Sequence, residues 1–390
     1  MKGVKRIVIA VLIMIMAAAM AESGVVIGFK NEFAPKKNHD RKWRIGYCET
    51  EPFSNYSGVL NSIIHGLKEY GWIENAKDLP YVQGQHDTKV MWERLSKSDL
   101  GEYLEFPADA HYTLSSMKQV NGLKAEDIII ERLNTKKDID LMIVMGTKAG
   151  ILLGNDRHNT PIFVFSASDA YASGIVKGVE YSGSSHIWAH MDTNRFKRQL
   201  QVFNDIFEIK KLGIVYENTE LGKNYAALGD IEYMAKVRGF GIEREFVNEP
   251  KGKDDVERYR SDLKLAYQRL AQKVDAFYIT VASIEPKWLY ELLEPFYERK
   301  IPVFSQVGSD EVRAGALMSI TYFDFPNMGR FGADTIIKAL GGVPVDKLKQ
   351  TYENTPQILL NLEVAKKIGY RPSFDILLVA DKIYNQIERN

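Results

Sequence analysis

The chain has 390 residues, with 51 Lys and Arg against 51 Asp and Glu, and a single cysteine. That length exceeds what one small core organises and fits two domains. The lone cysteine excludes an internal disulfide framework, and the charge balance argues against nucleic acid or anionic lipid as a partner.

Residues 1–21 read as a secretory signal peptide. Lys2, Lys5 and Arg6 form a cationic start, 7–16 is an uncharged apolar run, and Ala19, Met20 and Ala21 give the small-residue pattern a signal peptidase reads. The run is shorter than the roughly 20 apolar residues a membrane span needs. Glu22, not a cysteine, stands directly after the cleavage site, so the expected product is a released periplasmic protein, not a lipid-anchored one. Losing those three cations takes 51 to 48 against 51 acids, a net charge near −3. Residues 22–41 are polar and read as a flexible leader.

From Trp43 onward, short apolar runs alternate with helical patterns. Strands are predicted over 43–47, 141–145, 162–165, 212–216, 242–247, 276–280, 303–305, 317–320 and 358–361. Helices are predicted over 58–70, 125–134, 194–207, 223–238, 254–273, 286–299, 327–340 and 374–387. Within 254–273, the apolar side chains of Val256, Tyr259, Leu263, Tyr267 and Leu270 recur at helical spacing. This alternation implies an α/β fold with parallel sheets covered on both faces. Cys48 ends an apolar run and reads as a small buried hydrophobe.

Parallel sheets of this kind bind ligands beyond the carboxyl ends of their strands. The predicted strand ends here carry Glu49 and Thr50; Gly146 and Thr147; Ser166, Ser168 and Asp169; Asn218 and Thr219; Ser283; and Ser305 and Gln306. Any one of them serves equally as a loop residue or helix cap, so the case rests on the whole set.

Enzyme signatures are absent from the sequence. There is no phosphate loop, no G-x-G-x-x-G after a strand, no H-E-x-x-H and no G-x-S-x-G elbow, so neither a cofactor nor a catalytic residue is assigned. His186 and His190 stand four apart with Asp192 beyond, and on a helix they would share a face. A metal site needs a further firm ligand, so none is assigned. Spacing alone does not reveal a Ser/His/Asp triad, which leaves an exported hydrolase as a third reading.

Five segments together resemble the type I periplasmic binding proteins of ABC importers, in the branch that binds aromatic amino acids such as tryptophan. They are Asp140 to Thr147 with Ala149; Pro161 to Ser166 through Asp169 to Val176; Lys211 to Tyr216 with Asn218, Glu220 and Asn224; Ile301 to Phe304 through Leu317 and Tyr322; and Leu359 to Asn361 through Ala365 and Gly369. The likeness spans about 139–381, and more weakly 43–72. Between Trp72 and Ile128 the chain is longer than the family's usual single strand and helix.

The resemblance implies two doubly wound parallel-sheet lobes joined by three crossovers. The first lobe would take 42–165 plus 322–349, and the second 166–321 plus 351–390, with a ligand trapped between them by hinge closure. It further implies an extracytoplasmic solute-binding monomer, not an enzyme, that delivers a small amino acid-like ligand to an ABC permease. A ligand-sensing subunit of a membrane receptor is the alternative. On that reading Thr147, Ser166 and Ser168 hold the ligand carboxylate. Asp169, Glu49 and Asn218 are candidates for its ammonium. Phe53 and Tyr322 lead the candidates for its side-chain pocket, ahead of Tyr47, Tyr56 and Tyr216. Asn224 and Ser283 complete the expected set.

Overall fold

The computed structural model describes residues 33–75, 87–119, 122–250, 252–280, 284–321, 325–353 and 356–389. The signal segment and the start of the leader lie outside them. The chain forms two compact units and passes between them three times. The first unit takes Phe29–Thr193 and Asp324–Asn354, and the second takes Asn194–Phe323 and Thr355–Asn390. Among the described residues, no helix is long and apolar enough to cross a membrane.

The sheet of the first unit is parallel throughout. Its strands are β1 (Trp43–Glu49), β2 (Leu104–Glu105), β3 (His111–Thr113), β4 (Leu141–Met145), β5 (Ile162–Phe165) and β6 (Ile187–Ala189). The order is β2-β1-β4-β5-β6, with β2 and β3 pairing successive stretches of β1. β4 and β5 are buried at every position, as their unbroken apolar sequences require of strands covered on both faces.

The helix Ser54–Glu69 packs on the returning helix Phe325–Leu340 at backbone distance. A Cβ on Gly329 would lie 2.3 Å from the backbone C and O of Ser62, and one on Gly66 would lie 2.7 Å from the Ala333 Cβ. The second passage of the chain thereby returns a helix to the first unit's core.

The second unit holds β7 (Lys211–Tyr216), β8 (Gly241–Phe246), β9 (Ala276–Ile279), β10 (Val303–Ser305), β11 (Met318–Thr321), β12 (Gln357–Asn361) and β13 (Lys382–Tyr384). Their order is β13-β12-β11-β10-β9-β7-β8. Only the β11–β12 pair is antiparallel. Gln199, fully buried on the helix Arg195–Phe207, donates to the carbonyls of Gln306 and Ile320 and accepts from the Tyr278 hydroxyl. One side chain thus ties β9, the end of β11 and the turn after β10.

Several expectations need correction. The first unit runs on to Thr193 instead of ending at Phe165, because β6 pairs with β5 and Trp188 stacks on Phe163 at 5.3 Å. It also keeps Gln350 to Asn354. The buried Gln350 side chain accepts from the Ala189 N–H and donates to the carbonyls of Gly178 and Val179. Residues 33–41 are not a loose leader, since Arg41 forks onto Asp140 with two 2.7 Å bonds and Asn38 donates to the same carboxylate. The predicted helix 223–238 is two helices, Glu220–Tyr225 and Leu228–Arg238, broken at Ala227, whose φ is +51°. The predicted helix 374–387 ends at Val379 and is followed by β13. His186 and His190 flank the strand β6, so they do not share the face that a helix would have given them.

The contact between the two first-unit helices gives a direct test. Gly329→Ala should lower unfolding stability by about 1–3 kcal/mol, since the added methyl meets backbone that cannot swing aside. Gly229→Ala, where nothing lies within 4 Å of the new Cβ, should raise it by about 0.5–1 kcal/mol. Urea melts of both variants check the pair, and equal effects would contradict the close approach.

Candidate functional site

The parallel register of the first sheet brings several strand ends to one level. Glu49 lies opposite both Thr113 and Met145, and Met145 lies opposite Phe165. The residues that follow are Thr50, Gly146 and Thr147, and Ser166 to Ser168, so hydroxyl groups from distant parts of the chain line one carboxyl edge.

Local geometry fixes this edge. Gly146 has φ +85°, and a Cβ there would stand 2.0 Å from the Tyr56 hydroxyl, so only glycine lets that hydroxyl reach the strand end. Ser166 is a non-glycine residue at φ +57°, a sparsely populated conformation that concentrates at functional sites. The Thr147 hydroxyl accepts the Ser168 N–H at 3.0 Å, locking the turn after β4 to the turn after β5. The Oγ1 of Thr50 and the Oγ of Ser166 are both buried without a hydrogen-bond partner among the described residues. Native proteins seldom leave such groups unpaired, and here two sit on one edge.

Behind the edge lies a buried carboxylate. Glu49 is fully buried and accepts from Tyr47 Oη at 2.7 Å, Thr88 Oγ1 at 3.1 Å and Thr113 Oγ1 at 3.1 Å. Burial raises its carboxyl above the ordinary value, and the three hydroxyls pull it part of the way back. His111 joins the chain through Thr88, with Nε2 and Oγ1 at 2.8 Å, and its ring stacks on Tyr47 at 4.8 Å. Burial lowers the imidazole to about 4, so it is neutral at physiological pH. Trp92, on the helix Lys89–Lys97, closes over both rings and donates to the Pro107 carbonyl. The longer segment between Trp72 and Ile128 therefore supplies Thr88, His111 and Thr113 to this site. Sequence reasoning missed all three; the signal available was the run of β-forming residues from His111 to Thr113.

The remaining expected residues fall as follows. Asp169 is exposed and spends Oδ1 on the Tyr171 and Ala172 N–H groups, capping its own turn. Phe53 is half-buried at the start of the helix Ser54–Glu69, its ring 5.5 Å from Tyr56. In the second unit Asn218 is exposed after β7, and Asn224 is half-buried on the helix Glu220–Tyr225. Ser283 and Tyr322 lie outside the described residues. Glu311, which sequence reasoning also missed, follows β10 with its carboxyl pushed up to about 7 by burial. His186 and His190 bond through Nε2 to different carbonyls, those of Asn155 and Tyr352. Cys48 is buried, and that burial pushes its thiol well up.

The buried imidazole carries a pH prediction. Its folded value lies below the usual 6.5, so its contribution to stability is complete above pH 6.5 and is lost as pH falls toward 4. The loss should be on the order of 3 kcal/mol. His111→Phe keeps the ring contacts and removes the titration, so the variant should lose less stability than wild type between pH 7 and pH 4.5 in urea melts. Parallel losses would contradict the assignment.

Comparison with known proteins places this geometry in a family. Residues 112–384 match the family described as ABC transporter substrate binding protein. A tyrosine-binding protein of Clostridioides difficile (strain R20291) is 21% identical over 231 residues, 59% of this chain. The matched stretch spans 63% of that relative's length. A conserved domain protein from Vibrio cholerae shares 18% identity and a TM-score of 0.63 over 88% of this chain and all of its own. An ABC domain from Streptococcus pneumoniae in complex with L-Trp shares 16% identity and a TM-score of 0.63, over 88% of this chain and 99% of its own. Both structures share the two-sheet α/β fold. With the family match covering most of the chain and the fold in agreement, this chain belongs to the ABC transporter substrate binding protein family, with the type I periplasmic binding protein fold.

Proposed function

We propose that the protein is an extracytoplasmic solute-binding protein that captures a small amino acid-like ligand for an ABC permease and performs no chemistry on it. The carboxyl edge of the first sheet supports this reading best, with its two unpaired buried hydroxyls, one of them on the strained Ser166. A ligand carboxylate needs hydroxyl and N–H donors, and Thr50, Thr147, Ser166 and Ser168 supply them from three strand ends. The relatives that bind tyrosine and L-Trp support an amino acid as the ligand class.

Roles within the site follow from burial. Glu49 is sealed and acts from behind the edge, so Asp169 and Asn218, both exposed, are the better candidates for the ammonium. Phe53 and Tyr56 are the aromatic side chains beside the edge, and Tyr322, Asn224 and Ser283 remain assigned to the pocket as expected from sequence. Export by residues 1–21, capture by closure of two lobes, action as a monomer and delivery to a permease complete the proposal.

Isothermal titration with amino acids and simple carboxylates tests it. Binding is expected at micromolar or tighter affinity. Ser166→Ala and Thr147→Val should each weaken it about 10- to 100-fold, as loss of a hydrogen bond to a charged group does. No heat from any amino acid, with the purified protein folded and free of carried ligand by native mass spectrometry, would overturn the reading.

A further inference from the structure

Glu49 and His111 compete for one hydrogen. The Tyr47 and Thr113 hydroxyls each point theirs at Glu49. The single hydroxyl hydrogen of Thr88 faces both Glu49 at 3.1 Å and His111 Nε2 at 2.8 Å. The other ring nitrogen is in hydrogen-bond contact with the main chain of His111 itself. That contact favours the protonated ring, so this nitrogen carries its hydrogen toward a carbonyl. A neutral imidazole has no second N–H to offer Thr88. With Glu49 ionised, these five hydrogen bonds must be made with four hydrogens. One link is then left as two facing lone pairs, in a cluster whose Tyr47, Glu49 and Thr88 are fully buried.

One added proton completes the chain. Placed on Glu49, it runs from the carboxyl to Thr88 Oγ1, Thr88 donates to Nε2, and the ring donates to its own main chain. Placed on the imidazole, it would leave two buried charges where the first arrangement leaves none. The groups around the cluster are mostly neutral. On β1, burial, Glu49 and Tyr56 push the Tyr47 hydroxyl up, and burial pushes the Cys48 thiol up, so both keep their protons. Before the helix Lys89–Lys97, Asp87 favours a proton on Glu49 and on the ring, and Lys89 disfavours it on the ring. From β3, Thr113 adds only a hydroxyl.

Glu49 is the last residue of β1, and Thr50 beside it carries one of the two unpaired hydroxyls of the carboxyl edge. An ionised Glu49 would set a negative charge directly behind a place suited to a ligand carboxylate, where little solvent screens it. We propose that Glu49 holds a proton in the binding-competent state, so that ligand capture is linked to proton uptake and affinity falls as Glu49 ionises. The linkage rests on the carboxyl-edge site proposed above; the proton on Glu49 does not. Its sign follows from like charges: a carboxylate at the edge makes Glu49 hold its proton more tightly, so binding is favoured at lower pH.

Two measurements test the proton and its linkage. Carbon-13 NMR of the ligand-free full chain with labelled glutamate reads the proton, with Glu49→Gln assigning the signal. Glu49 should titrate above the exposed glutamates. His111→Phe frees the Thr88 hydrogen for Glu49, so it should move that midpoint down. Calorimetric titration with L-tyrosine and L-tryptophan reads the linkage. Wild-type affinity should fall about tenfold as pH rises through the Glu49 midpoint, and the heats should vary with buffer ionisation enthalpy in the sense of proton uptake. Glu49→Gln should remove both dependences, and His111→Phe should shift the fall to lower pH. A Glu49 midpoint among those of the exposed glutamates, or one that His111→Phe leaves in place or raises, would overturn the shared proton. Wild-type affinity independent of pH, or a fall that survives in Glu49→Gln, would overturn the linkage. Failure of both ligands to bind would remove the amino acid reading and the linkage with it, while the NMR midpoints still decide whether Glu49 holds the proton.

Discussion

The main-chain register of the first sheet is the constraint on which the site depends. Parallel pairing places Glu49 opposite Thr113 and Met145, and Met145 opposite Phe165, so three turns leave the sheet at one level. A slip of one residue in β1 would turn Glu49 and Tyr47 to the other face and separate them from His111. Register is strongly specified here because these strands are buried on both faces, and any slip would also misplace an apolar side chain in the core.

Burying a carboxylate in that core is costly, and the surroundings offset the cost with hydroxyls. Three O–H groups converge on Glu49, and among the described residues no cation pairs with it. Hydroxyls satisfy its lone pairs without adding a second charge to desolvate. They are also directional. A cation would neutralise Glu49 and leave its neighbours free to turn, whereas a threonine passes the orientation on to the next group. The same logic operates in the second unit, where Gln199 joins strand ends through neutral amide and hydroxyl contacts.

The two units reach their packing by different routes. In the first, Gly66 and Gly329 let two helices approach at backbone distance, and segments from both ends of the unit's sequence share one core. In the second, aromatic side chains carry the contacts, with Phe277 stacked on Phe296 at 4.4 Å and Phe203 on Phe304 at 4.6 Å. Small residues fix a separation between helices, and large aromatic ones fill the space between helix and sheet.

The α/β class, the two-unit size and nine of the strands were legible in the sequence. Apolar runs such as Leu141 to Met145 have one stable use, inside a sheet covered on both faces, and helical periodicity separates them. The strand ends that hold Thr147, Ser166 and Ser168 were legible for the same reason. Tertiary structure decided the rest. β2, β3 and β6 are two or three residues long, too short to show periodicity, and exist because β1 and β5 offer edges to pair with. The boundary at Thr193 follows from that pairing, and the short final strand follows from β12. The chain from Glu49 through Thr88 to His111 joins residues 39 and 23 positions apart, a spacing with no local signature. Local sequence sets what a segment prefers to be. Which side chains meet is set by the register and packing of strands far apart in the chain.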